Sequence, residues 1–292
     1  MTLRDALSAV IAALFFGLAF VAIKIGVHET TPLLLTALRF FFCAFPAVLF
    51  IRPPRASFGL TALYGLTIGV GQFGALFVAI GLGMPVGLAS LVIQLQVFIT
   101  IFLAWALLGE RPRPAQLIGA GIALAGIAAI GSERLQGASL GPFLLVIAAA
   151  SFWGIGNLIG KVAGKIDMLA FVVWAALVVP APLILASLIV DGPGPLAALA
   201  HPSLALILCT AFLAYGATVV SYGLWARLLA HHSAAAAAPF ALLIPIVGMI
   251  SGALAFGEPL SAIEVLGAAL VMAGLTFNVF GDRLLRRREK AA

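Results

Sequence analysis

Residues 109–126 read GERPRPAQLIGAGIALAG, and residues 257–274 read GEPLSAIEVLGAALVMAG. Aligned at a separation of 148 residues, the two stretches share six of eighteen positions: the opening Gly-Glu, the Gly-Ala at 119 and 267, and the closing Ala-Gly. A second pair of stretches agrees. AALFFGLAFVAIK at 12–24 and AASFWGIGNLIGK at 149–161 share Ala-Ala, Phe, Gly and a terminal Lys at an offset of 137. The chain therefore reads as two related halves, 1–136 and 137–292.

Composition fixes the solvent. With 64% hydrophobic and 9% charged residues and a mean hydropathy of +1.23, the chain has too little polar surface for a water-soluble globule of this length. Apolar runs of about 20 residues, enough to cross roughly 30 Å of hydrocarbon as helix, follow one another from end to end. Turn and charge clusters divide them into ten spans near 6–27, 32–51, 61–82, 86–108, 114–131, 140–160, 168–190, 203–226, 234–256 and 261–281. The fold class is an all-α membrane protein. The first span lacks a small-residue cleavage site and reads as retained. Five spans per half is an odd number, so the second half enters the membrane from the opposite side and the halves are inverted.

Orientation follows from Lys and Arg, which stay cytoplasmic. With the N-terminus inside, Arg4, Arg52, Arg55, Arg111, Arg113, Lys161, Lys165, Arg227, Arg283, Arg286, Arg287, Arg288 and Lys290 all fall on the cytoplasmic side. Only Lys24 and Arg134 fall outside, and Arg39 lies within the second span. Both termini are then cytoplasmic. The formal charge of +6 is accounted for by topology and by a basic tail suited to anionic lipid, with no support for a nucleic-acid partner. Cys43 and Cys209 lie in apolar runs and read as small buried hydrophobes.

The ten spans, the Gly-Glu copies with their GAGIALAG and GAALVMAG helices, and the FFG…K and FWG…K first helices resemble the EamA-type exporters of the drug/metabolite transporter superfamily. The resemblance covers the whole chain. Its aromatic-rich middle resembles the YddG-type aromatic amino acid exporters, which implies export of aromatic and other neutral amino acids. The resemblance implies a bacterial inner-membrane carrier of small, amino-acid-like substrates, monomeric or homodimeric, with no cofactor and no metal. One departure is visible: the proline of the fourth span of a half is present as Pro245, while its counterpart is Val97, which predicts a weaker bend in the first half.

Transport residues are sought at mid-depth. All ten acidic residues and all four histidines fall in connectors or near span ends, so a buried titrating acid of the kind proton-coupled carriers use is not expected. Neutral amides and hydroxyls remain: Gln72, Gln94, Asn157 and Ser251 are candidates to hold a zwitterion. Gln94 and Gln96 are roughly 200° apart around a helix, so one of them serves packing. The ordinary alternative for each amide is a hydrogen bond between helices. Phe16, Phe77, Trp153, Tyr215 and Tyr222 are candidate aromatic lining, against the alternative of core packing or interface anchoring. Phe16 and Trp153 are aligned copies, each beside a glycine.

Arg39 lies about eight residues into its span, where a charge faces protein or water. A structural salt bridge is favoured over an outer gate or an attractor for carboxylate. Lys24 and Lys161 end the first and sixth spans and read as interface anchors or gates. Pro239 and Pro245 are candidate hinges, since each removes a backbone donor; the ninth and fourth spans are the expected moving pair. The cavity is expected among spans 1, 3, 4, 6, 8 and 9, with spans 5 and 10 as scaffold or dimer surfaces.

Overall fold

The computed structural model describes residues 2–134, 140–232 and 234–289. The expected boundary at 136/137 and Lys290 lie outside the described residues, as do the side chains of Arg134, Arg283, Arg286, Arg287 and Arg288. The described chain is helical, without strands. Ten helical segments are long and apolar enough to cross a membrane: α1 (Leu3–Glu29), α2 (Pro32–Leu49), α3 (Phe58–Gly81), α4 (Val86–Leu108), α5 (Pro114–Glu133), α6 (Leu140–Val162), α7 (Met168–Val190), α8 (Leu204–Leu229), α9 (Ala237–Phe256) and α10 (Ala262–Gly281). The chain is a multi-pass membrane protein. Large apolar side chains such as Leu254 and Phe50, 83% and 82% exposed, stand outward to lipid.

Helix starts carry their caps. The Thr2 hydroxyl accepts from the Asp5 N–H while the Asp5 side chain accepts from the Thr2 N–H, a reciprocal box that satisfies otherwise orphaned donors. Ser57, Asp167 and Ser203 accept from the first-turn amides of α3, α7 and α8, as short polar side chains do at this position.

The glycines of the opening motif hold α5 and α10 together. A Cβ added at Gly119 would lie 2.6 Å from the carbonyl oxygen of Gly274, and one added at Gly126 would lie 2.5 Å from that of Gly267. Seven residues is two helical turns, so each pair shares one face of its helix. The pairing, 119 with 274 and 126 with 267, makes the helices antiparallel with their backbones in contact. In a bilayer, where apolar side chains gain nothing by leaving lipid, such close packing is what holds helices together. The α5 and α10 faces read as scaffold or dimer surface are thus occupied in part by each other.

The remaining helices cross between the halves. α1 lies against α8 and α9, and α6 lies against α3 and α4. Gly17 of α1 meets Val247 of α9, and Gly154 of α6 meets Ile99 of α4. Residues 17 and 154 are 137 apart, and 99 and 247 are 148 apart, the two offsets seen in the sequence.

Two local features depart from straight helix. α4 contains a tight three-residue turn at Ile93–Leu95, and α9 is broken at Leu242, its first part belonging to helix Ala234–Ala241 and its second restarting at Leu243. Adding 148 to 93 and 95 gives 241 and 243, so the two breaks correspond. The fourth span of the first half is thus interrupted without a proline at Val97. Packing accounts for the break in α4: residues 86–95 are buried throughout, and the Ser90 hydroxyl donates to the Gly87 carbonyl at 2.8 Å and the Pro245 carbonyl at 3.4 Å. The second feature is wide π-helical turns at Leu66–Phe73 in α3 and Phe212–Val220 in α8. Such turns are rare and concentrate at functional sites, because the extra residue re-aims the side chains that follow.

Candidate functional site

Each Gly-Glu does two things. Gly109 and Gly257 end their helices at φ 70° and 61°, a left-handed conformation that glycine adopts without a Cβ clash. The chain turns there, and the following glutamate reaches a lysine of the other half. Glu258 Oε1 lies 2.7 Å from Lys24 Nζ, and Glu110 pairs with Lys161. The lysines are aligned copies, the glutamates are aligned copies, and each pair crosses between the halves at opposite ends of the bundle.

The two ends differ in solvation. Lys24 and Glu258 are 22% and 10% exposed. The Glu258 carboxylate also accepts from the N–H groups of Val86 at 3.0 Å and Gly87 at 3.3 Å, the first amides of α4, where a helix favours an anion. Lys24 Nζ lies 4.4 Å above the Phe256 ring. Lys161 and Glu110 are 49% and 51% exposed, and the Glu110 carboxylate has no second side-chain or amide partner among the described residues. Packing follows the same division. At the Glu258 end the start of α4 presses on the end of α9, with Gly87 against Met249 and Gly248 against Ser90. Among the described residues no comparable packing joins Gln96–Leu108 to Ala234–Ala241 at the Glu110 end.

At mid-depth, α2, α3, α7 and α8 border a narrow cavity of about 10 Å³, room for about one water. Arg39 is its dominant group. The guanidinium is 2% exposed; Nε and Nη2 donate to Thr218 Oγ1 at 3.3 and 3.1 Å. The Thr218 hydroxyl itself donates to the Leu213 carbonyl at 2.8 Å, within the π-helical turn of α8. The Phe73 ring lies 3.9 Å from the guanidinium carbon. Nη1 has no acceptor. The favoured salt bridge for Arg39 is not formed among the described residues, because the acidic side chains all sit at span ends. This cavity lies among spans 2, 3, 7 and 8, of which 3 and 8 belong to the expected set.

The other sequence candidates fall in several places. Tyr222 lines the cavity and meets Phe16 edge to face at 5.4 Å. Phe77 is fully buried beside Phe73, ring centroids 6.1 Å apart. Gln72 and Gln94 are buried and form no side-chain hydrogen bond with the described residues, and their amide atoms are not sealed from the surface. Asn157 donates to Gln96 Oε1 at 2.7 Å and Thr100 Oγ1 at 3.0 Å, so of the two glutamines in α4 it is Gln96 that ties helices. Trp153 packs against the core. Tyr215 is 38% exposed and donates to the Phe45 carbonyl at 3.3 Å, outside the cavity. The Ser251 hydroxyl donates to the Gly248 carbonyl within its own helix. Pro245 is buried in the second part of α9, and Pro239 sits inside its first part, helix Ala234–Ala241. Phe73 and Thr218, legible in the sequence as a mid-depth aromatic and a mid-depth hydroxyl, are the groups that hold Arg39. The signal that could have joined Lys24 to Glu258 was present: each charge is written twice, one offset for the lysines and one for the glutamates.

Comparison with known proteins agrees with this architecture. The sequence model of the EamA-like transporter family matches residues 4–132 and 140–280. The chain is 41% identical over 291 residues, 97% of each chain, to a probable amino-acid metabolite efflux pump of Escherichia coli (strain K12). It is 27% identical over 248 residues, 83% of this chain and 80% of the other, to a probable terminal-alkyne amino-acid exporter of Streptantibioticus cattleyicolor. A crystal structure of another protein superposes with a TM-score of 0.62 over 94% of this chain and 96% of its own, at 20% identity, a likeness of fold.

Proposed function

The chain belongs to the EamA-like transporter family, and from that premise we propose that it exports small amino-acid metabolites, neutral and aromatic amino acids foremost, across a bacterial inner membrane by alternating access. The observation that carries the reading is the pair of crossed Lys–Glu contacts, one at each end of the bundle, each joining the two halves. Two inverted halves that exchange shapes convert an inward-open passage into an outward-open one. Charges that cross the seam at both ends are suited to close one face while the other opens. With both termini cytoplasmic, the tight Lys24–Glu258 end is the outer face and the looser Lys161–Glu110 end is the inner face. The α5–α10 glycine seam serves as the axis about which the halves rock.

The substrate class is supported by the names of the two relatives above and by a cavity whose only ion is one guanidinium. A nucleotide-sugar-like or drug cargo is the alternative within transport; a sugar nucleotide needs several cations, and this cavity has one. A membrane-embedded enzyme and a passive channel are the readings of another class. Counterflow of labelled L-phenylalanine and L-threonine in proteoliposomes separates them. Saturable, competitor-sensitive exchange is expected. A linear flux insensitive to unlabelled competitor would establish a pore.

A further inference from the structure

Arg39 is a buried cation without a counter-charge. Its guanidinium is fixed on two sides, Nε and Nη2 by the Thr218 hydroxyl and one face by the Phe73 ring, and Thr218 is held in turn by the Leu213 carbonyl. The cavity wall contains no aspartate, glutamate or histidine. Leaving a charge buried without a partner is strongly unfavourable, and a guanidinium N–H without an acceptor adds to that. Nη1 is that unsatisfied group, on a side chain that lines the cavity. The geometry therefore supplies everything a carboxylate needs except the carboxylate.

The site is also one-sided. At the 137-residue offset of the first helices, position 39 corresponds to Ala176, which lines the same cavity from α7. One half brings the cation, and the other brings a methyl group at that position and a hydroxyl from Thr218. A molecule held here is oriented, with its anionic end toward α2.

We propose that Arg39 is the anchor for the α-carboxylate of the cargo, which accepts from Nη1 once the narrow cavity widens, while the rest of the molecule lies along Phe73, Tyr64 and Tyr222. This rests on the amino-acid export reading and specifies which atom of the protein recognises the acid group. Charge-assisted hydrogen bonds of this kind are shorter and stronger than neutral ones. Thr218 is a positioning residue, holding Nε and Nη2 and leaving Nη1 as the donor without an acceptor. A resident inorganic anion such as chloride is the competing occupant, and the test must separate the two.

The test uses the purified full-length protein. A panel of the natural L-amino acids is compared with the same panel as carboxamides, both in thermal stabilisation and as competitors in L-phenylalanine or L-threonine counterflow. Free acids are expected to bind about tenfold or more tightly than their amides, the size of one lost charge-assisted hydrogen bond. Arg39→Gln is expected to abolish that preference, raising KM with a smaller change in kcat, and Arg39→Lys to restore part of it. Thr218→Val, which keeps the charge, is expected to weaken acid binding without reversing the preference. Equal binding of acid and amide by the unaltered protein overturns the proposal, whether or not the variants fold. So does an acid preference that survives Arg39→Gln, or chloride stabilisation that is lost with Arg39 while acid and amide stay equal. Acid-selective, Arg39-dependent binding without counterflow of any amino acid would keep the anchor and overturn the export reading.

Discussion

The Lys24–Glu258 end and the Lys161–Glu110 end are made from the same two residue types, written twice, yet they are physically unlike. At the first, the glutamate is 10% exposed and takes two amide donors from the start of α4 as well as the lysine. At the second, both side chains are about half exposed and the pair stands in solvent. A half-exposed pair contributes about 0–1 kcal/mol, whereas removing one partner of a buried pair costs about 3–5 kcal/mol. The lesson is that a repeated motif repeats its partners and not its energetics. Burial decides the strength, and burial depends on which helix ends have closed around the pair.

The comparison can be broken first at the axis both ends share. Gly126→Leu would drive a side chain into the Gly267 carbonyl, whereas Gly121, on the same helix, has nothing within 4 Å of an added Cβ. Gly126→Leu is expected to destabilise by about 3 kcal/mol or more, the upper range for overpacking, with loss of monodisperse protein; Gly121→Leu should leave the melting temperature unchanged. Similar behaviour of the two would remove the seam from its role. Next in size, Glu258→Gln is expected to lower stability by about 3–5 kcal/mol and Glu110→Gln by about 0–1 kcal/mol, read as melting temperatures in one detergent. Equal losses would erase the distinction between the ends. Asn157→Leu removes the bonds to Gln96 and Thr100 that tie α6 to α4, at a cost of about 1 kcal/mol. It should raise the labelling of a cysteine placed at the Glu110 end more than one at the Glu258 end. Smallest of all, raising salt from 0.1 to about 1 M shortens the screening length from about 10 to 3 Å. It should weaken the contribution of Lys161, measured by Lys161→Ala, without changing that of Lys24, measured by Lys24→Ala.

Much of the frame was legible before any coordinates. The ten spans coincide with those of the structure to within a few residues, because hydropathy over a helix length is a local property. The glycines at 119, 126, 267 and 274 were legible as packing residues, although not as partners of one another. Arg39 was legible as a charge that must face protein or water, and the absence of mid-depth acids already implied that no carboxylate could reach it. The salt bridge favoured for it contradicted that inventory, and the inventory was the better guide. Tyr215 shows the opposite limit. Its position along α8 is central, but the π-helical turn at Phe212–Val220 rotates the wall, so Tyr215 reaches the Phe45 carbonyl and Thr218 faces Arg39. No periodicity of 3.6 residues anticipates a turn with an extra residue.

The sequence by itself determined a chain of ten apolar helices with glycine caps, duplicated charges at their ends and a single cation within them. These follow from composition, helix length and backbone conformation, each a property of a short stretch. Only the tertiary structure decided that Lys24 meets Glu258, that this pair is buried while its counterpart is exposed, and that Arg39 faces a cavity with one donor unmet. Those facts depend on which helices from distant parts of the chain exclude water and lipid from the same point.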